Sequence, residues 1–129
     1  MLYLDTSAAA KLLVREKESH VLSRTLDDAA DRGVRLVSSL LLETELRRLA
    51  VRESIEQASV TAVLARVDLY ETPPSLYHQA GLLPGVSLRS LDALHLAAAI
   101  RIGVEALITY DTRQALAAVS LGLVVDAPA

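Results

Sequence analysis

The sequence predicts an α/β protein: a three-layer α/β/α sandwich around a parallel sheet of about five strands. Two observations carry this reading. Short apolar runs alternate with helical stretches along the whole chain, and strands separated by helices pair in parallel through right-handed crossovers. Two of these runs, Leu2–Leu4 and Ala106–Tyr110, read as buried strands from opposite ends of the chain, and they run into Asp5-Thr6 and Asp111-Thr112. As parallel neighbours, they would deliver both carboxylates to one crevice at the C-terminal edge of the sheet. Open α/β folds place their ligands there.

The elements follow in order. After the strand Leu2–Leu4, Ser7–Arg15 reads as a helix with Ala8, Leu12 and Leu13 among its apolar positions and Lys11 and Arg15 on another face. Ser19 is expected to cap a longer helix that runs to about Arg32 and stops at Gly33. Arg35–Val37 is a short strand, and Ser38 or Ser39 starts the helix carrying Glu45, Arg47 and Arg48. A helix over about Ser54–Arg66 leads to a strand at Val67–Tyr70. Pro73-Pro74 ends that strand and opens a helix at Ser75, stopping near Gly81–Gly85. Ser90 is the expected cap of the strongly apolar helix Leu91–Ile102, which Gly103 ends. Ala106–Tyr110 is the fourth strand, Thr112–Leu121 a helix ended by Gly122, and Leu123–Val125 the last strand. No repeat, low-complexity tract or linker divides the chain, so residues 1–129 are expected to form one domain.

Composition narrows the function. Apolar residues make up 52% of the chain and charged residues 22%, which excludes a disordered segment. The formal net charge is -3, so no broad basic surface can hold nucleic acid by counterion release alone. With no Phe or Trp and four Tyr, base-stacking platforms are excluded as well. A nucleic-acid ligand would have to be held by metal ions and a few placed arginines. The absence of cysteine removes disulfides, zinc–thiolate sites and a thiol nucleophile. With no signal peptide and no apolar run approaching 18 residues without a charge, a soluble cytoplasmic protein is expected.

The acids carry the chemistry. Asp5 and Asp111 each precede a helix and read singly as N-caps, Asp111 with Gln114 forming a capping box. Asp92, in the first turn of its helix, suits the helix dipole. Glu43 and Glu45 read as helix positions, at least one of them solvated. The combination points further. Asp92 lies in Leu91-Asp92-Ala93-Leu94-His95-Leu96, where nearly every neighbour is apolar. Two carboxylates about 5 Å apart repel by roughly 3 kcal/mol at an effective dielectric near 20. A cluster of four is unfavourable unless protons or a cation neutralise it, and all-oxygen ligation suits Mg²⁺ or Mn²⁺. His20 and His78 have no nucleophile nearby, and His95 reads as a packed or hydrogen-bonded core histidine. The chain has no Gly-x-Ser-x-Gly elbow, Walker loop or Gly-rich dinucleotide turn. Asp5-Thr6-Ser7 also lacks the second aspartate that a haloacid-dehalogenase-type phosphatase needs.

Four fragments, in this order, resemble the PIN-domain ribonucleases, and within them the VapC toxins of bacterial toxin–antitoxin pairs. They are Leu2-Tyr3-Leu4-Asp5-Thr6-Ser7-Ala8, Ser38-Ser39 with Glu45-Leu46-Arg47-Arg48, Leu91-Asp92-Ala93-Leu94-His95-Leu96-Ala97, and Ile108-Thr109-Tyr110-Asp111. The resemblance covers essentially the whole chain and implies a PIN-like fold. It implies that Asp5, Glu45, Asp92 and Asp111 hold Mg²⁺ (or Mn²⁺), with Glu45 preferred over Glu43, and that Thr6, Ser7 and Thr109 line the site. Thr112 and Arg113 stand where some members carry a further acid or Asn, so one metal position is complete and a second lacks that ligand. The implied activity is endoribonucleolytic hydrolysis of phosphodiester bonds by water. The implied partners are RNA, a cognate antitoxin and a second copy of the chain as homodimer, with no membrane. Lys11, Arg15, Arg47, Arg48, Arg89 and Arg113 are the candidate phosphate contacts. Leu12, Leu13, Leu40, Leu41 and Leu42 are expected to form either an antitoxin groove or core. A catalytically silent PIN scaffold and a nuclease acting on DNA are the alternatives.

Overall fold

In the computed structural model, which describes residues 1–129, five parallel strands lie in the order β3-β2-β1-β4-β5. The elements are β1 (Leu2–Leu4), α1 (Thr6–Ala10), α2 (Ser19–Asp31), β2 (Leu36–Ser39), α3 (Leu41–Glu53), α4 (Gln57–Leu64), β3 (Asp68–Tyr70), α5 (Pro74–Gly81), α6 (Ser90–Ile102), β4 (Ala106–Ile108), α7 (Thr112–Ser120) and β5 (Val125–Asp126). The first three strands proceed outward from β1 on one side, and β4 then returns to its other side. That reversal is the topological switch point of a doubly wound sheet, and it falls between β1 and β4. Their register pairs Leu2 with Ala106, Tyr3 with Leu107 and Leu4 with Ile108.

Alternation along each strand sends side chains into two separate apolar layers. Leu4, Leu36 and Ile108 point into a cluster with Ala8, Ala9, Leu22, Leu26, Leu42, Leu46 and Ala50, so α1 to α4 cover one face. Tyr3, Val37 and Leu107 point into a second cluster with Leu76, Ala80, Ala93, Leu96, Ala97 and Ala118, so α5, α6 and α7 cover the other. The expected three-layer arrangement is the observed one. The five leucines of the expected groove do not share a face. Leu42 is buried core, Leu12 and Leu13 pack against the first cluster, Leu41 packs against the second, and Leu40 is exposed.

Several boundaries differ from the sequence reading, each for a local reason. The first helix stops at Ala10 rather than Arg15: the amides of Lys11, Leu12 and Leu13 bond three residues back, winding the chain into tighter turns that end the α-helix. Ser38 and Ser39 finish β2 instead of starting α3, and the Ser38 hydroxyl donates to the Leu4 carbonyl at 2.9 Å, stitching β2 to β1. Ser54, expected inside a helix, is the left-handed C-cap of α3 at φ 55°. Ser19 and Ser90 are not side-chain caps: the Ser19 hydroxyl accepts from the Glu16 amide at 2.9 Å, and Ser90 is already helical. β4 ends at Ile108, which frees Thr109 and Tyr110 for the site, and β5 lies at Val125–Asp126 rather than Leu123–Val125. No helix is long and apolar enough to cross a membrane.

Small side chains set the position of α1, whose Ala8 and Ala9 are fully buried beside Ala50 of α3. Ala9→Leu overpacks this contact and is expected to destabilise the fold by about 1–3 kcal/mol in denaturant unfolding. A change below about 0.5 kcal/mol would show that α1 has room to move.

Candidate active site

The ends of β1 and β4 are knitted together by hydroxyls. Asp5 caps α1, and its Oδ2 accepts from the Ser7 hydroxyl at 2.7 Å, the Thr109 hydroxyl at 2.9 Å and the Ser7 amide at 3.3 Å. The Ser7 hydroxyl in turn accepts from the Tyr110 amide at 2.9 Å, and Thr109 Oγ1 accepts from the Asp111 amide at 3.1 Å. Asp5 is only 3% exposed, so these bonds stand in for lost water. A further donor comes from α7. Gln114 is fully buried, and with its amide nitrogen turned to the carboxylate it reaches Oδ1 at 3.0 Å and Oδ2 at 2.9 Å. The opposite orientation would set oxygen against oxygen.

Asp111 caps α7 as its sequence context predicts, Oδ1 accepting from the amides of Arg113 and Gln114 at 3.0 and 3.2 Å. The expected capping box does not form, because the Gln114 side chain reaches Asp5. Asp92 enters from the first turn of α6. Burial pushes its carboxyl above the ordinary carboxylate range. The fields of Asp111 and Asp5 push the same way, Glu45 adds to them, and His95 opposes. The four acids named from the sequence therefore share one electrostatic environment, although they come from four separate elements.

Glu45 reaches the site from α3. Its Oε1 lies 2.6 Å from His95 Nε2, and His95 Nδ1 lies 2.7 Å from the Tyr3 hydroxyl. Thr6 Oγ1 stands 3.2 Å from the same Nε2. Burial pushes the Tyr3 phenol up to about 12, the nearby Ser39 and Ser38 hydroxyls pulling the other way. The Ser39 hydroxyl is buried without a hydrogen-bond partner. Glu43, the alternative to Glu45, faces away and pairs with Arg47 at 3.3 Å.

The donor set of carboxylates and hydroxyls, with no thiol, suits a hard dication. As the side chains stand, no three His, Asp or Glu residues are drawn into a closed ligand cage. The acids share a field around an open crevice.

The six basic candidates divide. Lys11 is held by Glu16 at 2.9 Å and Glu18 at 3.0 Å and lies over the Tyr110 ring. Arg47 is spent on Glu43, Gln57 and Thr61 along the flank facing α4. The side chains of Arg15, Arg89 and Arg113 are exposed and make no hydrogen bond or salt bridge. Arg48 lines a cavity of about 390 Å³ together with Thr6, Ser7, Thr44, Glu45 and Arg52. Arg52 was not singled out from the sequence, although its place seven residues after Glu45 and four after Arg48 puts it on the same helix face. Gln114 carried no comparable signal.

A family model described as the PIN domain matches residues 2–120. The chain belongs to the PIN-domain family. Within it, the chain is 43% identical to a protein named Ribonuclease VapC35 from Mycobacterium tuberculosis, an alignment covering 99% of this chain and 97% of the relative. It is 44% identical to Ribonuclease VapC46 of the same species, covering 98% and 97%. These relatives place the chain among the VapC proteins. Two solved structures share its fold: Mycobacterium tuberculosis VapC20, described as a sarcin-ricin loop cleaving toxin, and Rickettsia felis VapBC2 bound to a promoter DNA fragment. Each gives a TM-score of 0.75, at 20% and 17% identity; coverage is 99% of this chain and 100% of VapC20, and 100% of both chains for VapBC2.

Because folding raises the pKa of Asp92, this group favours the folded state only while protonated and opposes it once pH rises through the raised value. Asp92→Asn is therefore expected to raise the Tm of the metal-free protein at pH 7 in thermal unfolding, with the gain shrinking in acid. A lower Tm at pH 7 would contradict the shared field. Gln114→Leu removes the donor to buried Asp5 and should cost about 1–3 kcal/mol in urea unfolding.

Proposed function

We propose that this VapC-family chain is a Mg²⁺- or Mn²⁺-dependent endoribonuclease, the toxin of a toxin–antitoxin pair. One observation carries the reading: adjacent strands β1 and β4 bring Asp5 and Asp111 to the switch point, where Asp92 feels both charges. Asp5, Glu45, Asp92 and Asp111 are the residues that would hold the ion. When bound, the ion supplies positive charge against the scissile phosphate and makes an attacking water more acidic.

The chain's own residues do the rest. Ser7, Thr109 and Gln114 hold the Asp5 carboxylate in one orientation. Asp111 keeps Oδ1 on the α7 amides and has Oδ2 free of hydrogen bonds. Arg48 and Arg52, unpaired beside Glu45, are placed to take phosphates of the strand that flanks the cut, which a chain of net charge -3 needs. No side-chain nucleophile is required. The ribonuclease names of the relatives support RNA as substrate, and the VapBC2 complex supports an antitoxin partner; a homodimer is what the family resemblance implies.

Asp5→Asn, still folded by circular dichroism, should lower metal-dependent RNA cleavage at least about a hundredfold. Retained cleavage, equal cleavage of DNA, or activity that survives chelation would each defeat a part of this reading. Arg48→Ala with Arg52→Ala should raise KM with kcat nearly unchanged, the pattern of lost substrate binding. Co-expression with the neighbouring open reading frame should yield a stable complex.

A further inference from the structure

A carboxylate-held cation makes no use of His95, yet this ring connects the protein core to the site. It is 1% exposed and lies within Ala93–Ala99 of α6, every residue of which is buried. A carboxylate only accepts hydrogen bonds, so at 2.6 Å from Glu45 Oε1 the His95 Nε2 must carry a proton and donate it. The Tyr3 hydroxyl lies 2.7 Å from Nδ1 and holds the other end of the ring by a hydrogen bond. The two rings meet edge to face, with centroids 5.7 Å apart, so the plane of the imidazole is set as well.

Glu45 is the member of the quartet that needs such help. Asp5 and Asp111 are fixed by capping bonds, and Asp92 is a short side chain in a first helical turn. Glu45 has the longest side chain of the four and the most rotamer freedom to lose. We propose that Tyr3 and His95 are positioning residues, a buried hydroxyl–imidazole chain that holds the Glu45 carboxylate ready to receive the divalent cation. The proposal rests on the metal-dependent reading above.

Outer partners of this kind are commonly worth ten- to a hundredfold in metal affinity. Mn²⁺ titration of the full chain by calorimetry should show His95→Ala weakened by about that factor. His95→Gln, whose amide can present an N–H to Glu45, should recover binding to within about threefold of wild type, and Tyr3→Phe should fall between. In a Glu45→Gln background, His95→Ala should add little. Independently of metal, long-range proton–nitrogen NMR of His95 should find its proton on Nε2. Where His95→Ala does not fold, Tyr3→Phe carries the same test with the loss of one oxygen. The proposal is overturned by wild-type Mn²⁺ affinity in folded His95→Ala or Tyr3→Phe, by equal losses in His95→Gln and His95→Ala, or by a proton confined to Nδ1. Wild-type protein that binds no Mn²⁺ would instead bring down the metal reading itself, and this proposal with it.

Discussion

The pairing of Leu4 with Ile108 is the constraint from which the rest follows. It joins the first strand to one more than a hundred residues later, and the ladder continues one step beyond the sheet, where the Asp5 amide donates to the Ile108 carbonyl at 3.0 Å. A slip of one residue would exchange the two faces of β4, sending Ile108 toward α6 and Leu107 toward α3. It would also part Thr109 from Asp5. Two apolar layers thus hold the register, and the register holds the polar crevice.

Within that crevice the carboxylates of Asp5 and Asp111 are met by neutral donors rather than by salt bridges. Ser7, Thr109 and Gln114 serve Asp5, backbone amides serve Asp111, and His95 serves Glu45. Lys11 and Arg47 stay outside, Lys11 held by two glutamates and Arg47 by a third. Neutral partners orient a carboxylate without cancelling its charge, which leaves the field available to a dication.

Much of this was readable from the residues. Alternating apolar runs ending in Asp5 and Asp111 announced a parallel sheet with its ligand edge, because strand, turn and cap chemistry are local. The grouping of Asp5, Asp92 and Asp111 followed from the same local patterns, whereas Glu45 was preferred over Glu43 only through the resemblance to the PIN-domain ribonucleases. What escaped was long-range. Nothing near Gln114 in sequence distinguishes a buried partner of Asp5 from a capping-box residue, since the two readings differ only in which distant group the amide meets. His95 looked like a core histidine and is one, but its link to Glu45 spans 50 residues. Helix ends were misplaced where a hydroxyl bonded backward, as at Ser19, or across to another strand, as at Ser38.

Seven successive buried positions give α6 no wet stripe along which it can fray by itself. Its middle amides should therefore exchange with deuterium only when the whole domain opens. Since Asp92 and His95 ride on this element, the crevice sits on the slowest-opening part of the molecule, and its shape should outlast that of the loops around it under heat or denaturant.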